Sequence, residues 1–449
     1  MNLDDLRTVV GPANVLVDDD LRAGFEVDWT RRFSGRSFAV VRPADVEEVA
    51  RLMEWCARER VGVIPQGGNT GLVGGSVPVG QQETCIVLSL QRLNQIFGID
   101  LLAGIADVGA GVTLGDLETR LLGTGWEFGV DLSARSSATL GGMVATNAGG
   151  TRVMRDGTMR TNLLGAQAVL ADASVVSHMS GLVKDNTGYD WPGLLCGSEG
   201  TLGVITRCLL RLVPARPDRV AVAVQCATWA DAVLLAGTVR RRVPGIEVIE
   251  AVDAAGVRCA ASELGIEAPV AASGVTLLLV WAGVGEPPPE LVDAVADHPH
   301  VVGPPRALLA VRDRQSEAIA RRGIPHKFDV SVPLAKIADF VHEVESSIDS
   351  GLELFVFGHL GDGNLHVNVV GAQPDDDALD ARILSAVARA NGSISAEHGI
   401  GRAKAPWLHL TRSSADIALM RRIKAALDPD NLLNPGVLFP IDPGRSAPT

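Results

Sequence analysis

The sequence predicts an α+β chain of two domains. Three features carry that expectation: a strand–helix–strand pattern that begins at Ser37, a proline-rich linker at Val213–Arg219, and a fresh strand alternation from Val220 that closes in helical periodicity at Ile417–Leu427. A length of 449 residues predicts two to four domains at ~100–200 residues each. Apolar residues make up 47% and charged residues 21%, values of a folded chain able to bury a core. The 49 glycines are about 11% of the chain, against ~7% in ordinary proteins. No Gly-X-Y period or internal repeat exists, so the excess serves turns or close backbone approach to something bound.

Each element has a local reason. Phe38–Val41 is a short run of β-formers, and Asp45 with Glu48 three residues later starts a helix as a capping box does. Val46, Val49, Ala50, Met53 and Ala57 then recur on one helical face, and Val61–Ile64 is the next strand. A further strand is expected at Ile86–Leu90. EPPPE at Glu286–Glu290 reads as an exposed loop, and the chain ends in a polar tail. The division predicted is residues 1–214 and 215–449.

Composition excludes several classes. The net charge of −13 and the lack of a basic run argue against nucleic acid. The longest apolar stretch, Val275–Val284, is far below the ~20 residues of a membrane span. The start MNLDDLRTVV has neither a cationic region nor an apolar core, so no targeting segment is expected. Six cysteines without a CxxC pair read as reduced thiols of a cytoplasmic protein.

Three glycine clusters mark the first half: PQGGNTGLVGGSVP from Pro65, LGGMVATNAGG from Leu140, and GSEGTLGVIT from Gly197. The first follows a strand, but Ser76, Val77, Pro78 and another strand come next. A nicotinamide-type Rossmann loop opens a helix, so that reading fails, and no GxxxxGK[ST] is present. A loop of bare backbone N–H groups wrapping a pyrophosphate remains. Three such clusters in one half suggest a long ligand touched at several points.

The histidines cluster in the second half. His359 and His366 bracket a turn in LFVFGHLGDGNLHVNVV. If Asp362–Gly363 forms a two-residue type I′ turn, residue 359 pairs with 366 and the two imidazoles stand opposite each other on one face, with Cβ atoms ~5 Å apart. Such a pair can share one ion at ~2.0–2.1 Å per nitrogen. A third ligand is expected from SISAEHGIGR, where the adjacent Glu397 and His398 must point differently and suit two roles. Asn364, beside the turn, is a candidate donor to a substrate. His178, His298, His300, His326, His342 and His409 lack such partners and are expected at or near the surface.

PQGGNTGLVGGSVP, DLSARSSATLGGMVATNAGG, KDNTGYD and GSEGTLGVIT together resemble the FAD-binding domain of the vanillyl-alcohol oxidase/p-cresol methylhydroxylase superfamily. Within it the chain is similar, from about Asp28 to Leu438, to the D-2-hydroxyacid dehydrogenases that act on D-2-hydroxyglutarate or D-lactate. The resemblance implies a two-subdomain FAD-binding domain of the p-cresol methylhydroxylase type, followed by an α+β substrate (cap) domain with an antiparallel sheet. The last ~25 residues would pack back toward the flavin. It implies that Pro65, Gln66, Gly67, Gly68, Asn69, Thr70, Gly71 and Leu72, with Ser76, hold the FAD pyrophosphate. Asp131, Ser137, Gly141, Gly142, Thr146, Asn147 and Gly149 would line the ribityl chain and flavin, and Gly203, Val204 and Ile205 would lie near the adenine. No histidine falls in the flavin-lining blocks, so the FAD is expected to be non-covalent. Three departures put local loop shape in question: DLSARSS at Asp131–Ser137, Asp156 before Gly157, and Ala173 after Asp172.

The same resemblance implies that His359, His366 and Glu397 hold a divalent ion and that His398 is the acid–base residue. Spacing does not choose among zinc, manganese and iron. It implies that Arg312, Ser316 and Lys327 bind substrate carboxylate, and the lysine favours a second carboxylate, hence D-2-hydroxyglutarate over D-lactate or glycolate. Charge alone would leave these three on a solvated helix and strand. Asn434 matches an asparagine that returns to the flavin, while a helix stop explains it equally well. The electron acceptor is unnamed by the sequence (an electron-transfer flavoprotein, a quinone or a cytochrome), and a homodimer is left open. Two other classes compete: a zinc hydrolase, which leaves the glycine clusters idle, and a non-catalytic flavoprotein subunit, which leaves the histidines idle.

Overall fold

The computed structural model describes residues 2–373 and 376–440, so the end of the polar tail lies outside the described residues. The chain forms two compact units that interleave along the sequence. Unit 1 comprises 1–150, 156–214 and 397–449; unit 2 comprises 151–155 and 215–396. The chain therefore re-enters the first unit at Glu397, well before the last ~25 residues.

Unit 1 holds two sheets. In the first, β1 (Gly35–Val41), β3 (Gly80–Ser89) and β2 (Gly62–Gln66) lie in that order, with β3 parallel to both neighbours. The crossover between β1 and β2 is α1 (Val46–Glu59). Its start is set as the sequence predicts: the Asp45 carboxylate accepts the Glu48 N–H at 2.7 Å, and the Glu48 carboxylate accepts the Ala44 N–H. Its buried face is Val49, Leu52, Met53, Trp55 and Cys56, wider than the stripe read from the sequence. The expected strand at Ile86–Leu90 begins six residues earlier and is the centre of this sheet.

The second sheet runs β4 (Ile96–Asp100), β5 (Ile105–Gly109), β8 (Val204–Pro214), β6 (Leu163–Val169), β7 (Val175–His178), all antiparallel. Against it packs α2 (Leu140–Thr146), so the second glycine cluster is a helix and not a loop. Gly141 explains the glycines there: a Cβ on it would lie 2.4 Å from that of Ala110. Small residues let this helix lie close to the strand end.

Unit 2 is one seven-stranded antiparallel sheet. Its order is β12 (His300–Gly303), β9 (Asp218–Cys226), β11 (Val275–Gly283), β10 (Ile246–Asp253), β14 (Glu353–His359), β15 (Asn364–Val370), β13 (His326–Ser331). The long apolar stretch of the sequence is β11, near the middle, with both faces covered and Val275–Ala282 all buried. One face packs α4 (Ala254–Leu264), α5 (Ala310–Asp313) and α6 (Gln315–Arg322) through Val257, Ala260, Val311, Ala318 and Ile319. Beyond the other face lie α3 (Trp229–Arg242), α7 (Ile337–Ser347) and α8 (Asp377–Arg389). The six cysteines are all buried and form no disulfide among the described residues, and burial pushes each thiol up, Cys56 furthest and Cys85, Cys208 and Cys226 to about 12. No described helix is long and apolar enough to cross a membrane.

Candidate active site

In unit 2 the site grows from the β14–β15 hairpin. Its register is two residues away from the one a two-residue turn gives: Phe357, not His359, stands opposite His366. The connection is four residues long, Leu360–Gly363, because the Gly361 N–H donates to Ile249 O on β10 and the Asp362 and Gly363 N–H groups turn back to His359 O. Gly363 supplies the left-handed conformation this needs, with φ +83°. An even shift leaves side chains on their original face. His359 and His366 therefore still share a face, as diagonal neighbours with ring centroids 5.5 Å apart and planes at 78°.

The residue behind them is one the sequence reading missed. Glu250 on β10 pairs with His359, has no exposed surface, and meets His359 Nδ1 with one oxygen and Arg312 Nε with the other. Burial alone would push this carboxyl up, but Arg312 and His359 outweigh it and hold it near 2. In the sequence it is one of three acidic residues in the strand IEVIEAVD, with nothing to single it out from Glu247 and Asp253. Arg312, predicted to be a substrate cation, is thus already paired, and its guanidinium lies 4.9 Å from the Phe357 ring centre. Ser316 is exposed on α6, one turn beyond Arg312.

Strand β13 adds the other groups. Asp329 pairs with His366, and Lys327 pairs with Asn368, so all four share the face of the two histidines. Asp329 is buried, with a carboxylate oxygen 3.9 Å from His366 Nδ1. Lys327 is exposed as a whole residue, and no described residue forms an ion pair with it; partial burial desolvates its ammonium and lowers its pKa from 10.5. Asn364 is buried at the hairpin mouth with its side-chain oxygen unpartnered, and Asn368, a second asparagine two steps along, is equally buried. Ser393 pairs with Ser331, and the Ala396 N–H donates to Asp329 O at 3.4 Å. Glu397 and His398 are the next two residues, so chain continuity carries them onward from the strand that faces His366. Among the other histidines the surface expectation needs one correction. His326 is bonded on both nitrogens, to Asp380 at 3.1 Å and to Gln373 O at 2.6 Å, tying β13 to α8.

In unit 1 the first and second glycine clusters meet. A Cβ on Gly68 would lie 1.7 Å from Ser137 O and one on Gly67 2.2 Å from Thr139 Oγ1, whereas Gly71 has open space. Gln66 donates to Phe25 O and Ser76 O, and Ser76 donates to Asn69, which sits at φ +53°. These bonds fix the loop that carries Pro65 to Leu72. Beside it lies a cavity of about 490 Å³ lined by Trp29, Gly68, Asn69, Thr70, Ser133, Ala134 and Ser137. Trp29 is a lining residue that no motif announced.

Other residues of the predicted cofactor set also make contacts within unit 1. Asp131 forms a paired contact with Arg135, within the departing DLSARSS segment, and Asn147 accepts from the Arg160 N–H. Thr146 donates to Gly142 O within α2, and Gly149 is buried beyond that helix. Gly203 leads into β8, where Val204 and Ile205 are core residues. Ala173 adopts φ +66°, a conformation that glycine takes more readily, in the turn between β6 and β7. Asn434 is no helix stop: α9 (Ser414–Leu427) has ended seven residues earlier. Its amide donates to Gly75 O at 2.7 Å and Glu199 O at 2.8 Å. The buried Glu199 carboxylate accepts the Ile400 and Gly401 N–H groups; burial pushes its pKa up against those two bonds.

Comparison with known proteins agrees with this architecture. Residues 38–178 match the family described as "FAD binding domain", and residues 216–438 match "FAD linked oxidases, C-terminal domain". A Bos taurus protein named mitochondrial D-2-hydroxyglutarate dehydrogenase is 36% identical over 97% of this chain and 84% of its own length. One of the same enzyme name from Xanthomonas citri pv. viticola is 35% identical over 92% and 91%. A Schizosaccharomyces pombe relative, 32% identical over 96% and 88%, is named a putative mitochondrial D-lactate dehydrogenase. The solved structure of p-cresol methylhydroxylase with substrate bound shares the fold, with a TM-score of 0.78 and 17% identity over 98% and 96% of the two chains. With both domains present in order and relatives matching nearly end to end, the chain belongs to the FAD-linked oxidase family, on the branch that includes proteins named D-2-hydroxyglutarate dehydrogenase.

Proposed function

We propose that this protein is an FAD- and divalent-metal-dependent dehydrogenase that oxidises a D-2-hydroxy acid, with D-2-hydroxyglutarate the favoured substrate, to the 2-oxo acid. The observation that carries the proposal is the single sheet face that bears His359, His366, Lys327 and Asn368, in a chain that also has the FAD-binding domain. Relatives named D-2-hydroxyglutarate dehydrogenase support the substrate class.

His359, His366 and Glu397 form the proposed donor set, two imidazoles and a carboxylate, a combination that suits zinc, manganese or iron. When bound, FAD supplies a hydride acceptor and the cation supplies Lewis acidity at the substrate hydroxyl. The chain's own work is binding and proton transfer. His398 takes the hydroxyl proton as general base. Lys327, which forms no ion pair among the described residues, takes the distal carboxylate, while Arg312, already neutralised by Glu250, adds directed N–H groups and Ser316 a hydroxyl. Asn364 offers its amide from the hairpin mouth. Pro65–Leu72 with Ser76, and the segment Asp131–Gly149, hold the dinucleotide, with Gly203–Ile205 toward the adenine and Asn434 bracing the loop. The electron acceptor is a flavoprotein, quinone or cytochrome partner, and the compartment in this reading is the cytoplasm, although the eukaryotic relatives' names place those proteins in mitochondria.

D-Lactate is the second reading, favoured by the name of the yeast relative. Anaerobic addition of each acid to the purified protein tests both. The expected result is a yellow protein bleached by D-2-hydroxyglutarate at lower concentration than by D-lactate. A colourless protein that takes up no FAD refutes the dehydrogenase. A yellow protein that no 2-hydroxy acid bleaches points to the non-catalytic flavoprotein subunit instead.

A further inference from the structure

We infer that Glu250 is a positioning residue: its single buried carboxylate fixes which nitrogen of His359 can bind a cation, and Arg312 holds the other oxygen of that same carboxylate. The inference rests on the proposed metal reading and goes beyond it to a residue outside the donor set.

The argument is one of donors and acceptors. Glu250 has no exposed surface and faces two donors, His359 Nδ1 on one oxygen and Arg312 Nε on the other. An ionised carboxylate only accepts, so the His359 proton resides on Nδ1 and the lone pair of the neutral ring on Nε2. A metal ligand needs that lone pair, and a carboxylate behind the imidazole sets its tautomer and its ring orientation. Backbone pairing places the two residues side by side, with Glu250 opposite His359 on adjacent strands. His366 has a different arrangement, with Asp329 Oδ1 3.9 Å from its Nδ1. The two imidazoles are therefore not held equivalently.

Arg312 makes the inference testable. In Glu250→Gln one oxygen becomes an NH2 group. The guanidinium always carries its charge, so it draws the remaining carbonyl oxygen. The amide NH2 then faces His359 Nδ1, which must become the acceptor, and the ring proton moves to Nε2. Adding Arg312→Met removes the competitor, and the glutamine oxygen can turn back to His359 Nδ1.

The experiment measures zinc affinity of the full-length, FAD-loaded protein by competition with a chromophoric chelator, with the 450 nm band and circular dichroism as checks of the fold. The expected result is a loss of about 10–100-fold in E250Q, the range typical of outer-shell partners, and recovery toward the parent in E250Q/R312M. A merely structural role predicts no such rescue, because the double variant removes one more buried contact. E250Q that binds zinc like the parent overturns the inference, as does a double variant no tighter than E250Q. H359A serves as the control. If H359A binds zinc like the parent, the metal reading itself fails and takes this inference with it. If H359A loses zinc while E250Q does not, only the role of Glu250 fails.

Discussion

The Asn434 side-chain amide donates to the backbone carbonyl of Gly75 at 2.7 Å, joining positions 359 residues apart. The same NH2 group donates to Glu199 O, and the Asn434 N–H donates to Val63 O, near the start of the strand that feeds the glycine loop. One asparagine thus ties the first and third glycine clusters together. Asn434→Ala leaves two carbonyls without their donor, at about 1–3 kcal/mol where a buried group goes unsatisfied. The expected outcome is a protein that folds but purifies with less flavin. The ratio of absorbance at 450 nm to 280 nm, followed by FAD back-titration, measures it. Full flavin content in the variant would contradict the bracing role.

Two glycines of one loop should respond differently to alanine. At Gly68 a Cβ would meet Ser137 O at 1.7 Å, so backbone must move and Gly68→Ala should lower the melting temperature of the FAD-free protein. At Gly71 a Cβ would meet no described atom within 4 Å beyond its chain neighbours. Gly71→Ala should leave the FAD-free melting temperature unchanged and weaken FAD binding if the cofactor approaches there. Equal FAD affinity in Gly71→Ala and parent would move the dinucleotide away from that residue.

The C-terminal helix is anchored by a buried pair. Lys424 meets Asp428, which has no exposed side chain, and also donates to Thr201 O at 2.9 Å and Leu433 O at 2.7 Å. Burial lowers the Lys424 pKa and Asp428 opposes that shift. Lys424→Met leaves Asp428 charged and uncompensated, a loss of about 3–5 kcal/mol. Denaturant titration should show that loss, and Lys424→Met with Asp428→Asn should recover part of it. A single variant as stable as the parent would mean that the backbone N–H groups of Leu432 and Leu433 suffice for Asp428.

What the sequence could and could not reveal follows from the range of each interaction. The start of α1 was legible because Asp45 and Glu48 cap it within four residues. The shared face of His359 and His366 was legible because strand alternation has period two, and it survived a wrong turn length because the register error was even. The turn length itself was hidden, since it depends on a hydrogen bond from Gly361 to a strand more than a hundred residues away. Glu250 was hidden for the same reason: only the sheet order puts β10 beside β14. The second glycine cluster misled because small residues suit both a loop and a helix pressed against Ala110. Asn434 was ambiguous in sequence: the end of α9 at Leu427 removes the helix stop, and what its side chain holds depends on the long-range bond to Gly75.

Removal of the proposed cation should separate chemistry from flavin binding. His366→Ala, or prolonged dialysis of the parent against a chelator, should stop bleaching by D-2-hydroxyglutarate while the 450 nm band persists. The residues proposed to bind FAD belong to unit 1, whereas His359 and His366 belong to unit 2. Readdition of zinc or manganese should restore the dialysed parent but not the variant. Unchanged bleaching after dialysis, with metal analysis showing none bound, would remove the cation from the reaction.

Lys327 sets the expected alkaline limb of substrate binding. Desolvation by partial burial disfavours its charged form, so its pKa lies below the ordinary 10.5 and the ammonium is lost earlier as pH rises. Below that pKa the cation is present and can pair with a distal carboxylate; above it the pairing disappears. The KM for D-2-hydroxyglutarate should therefore climb on the alkaline side at a pH where a free lysine would still be charged, while the KM for D-lactate, with no distal carboxylate, stays flatter. A bound dicarboxylate raises the lysine pKa again, so the shift belongs to KM and kcat/KM more than to kcat. Lys327→Arg keeps a charge across the whole range and should flatten the limb, and Lys327→Ala should raise the KM for D-2-hydroxyglutarate alone, by about tenfold or more for a lost charge-assisted hydrogen bond of ~1.5–3 kcal/mol. Steady-state kinetics of the three proteins with both acids across pH decides it: an identical alkaline limb in Lys327→Arg and parent assigns the titration to another group.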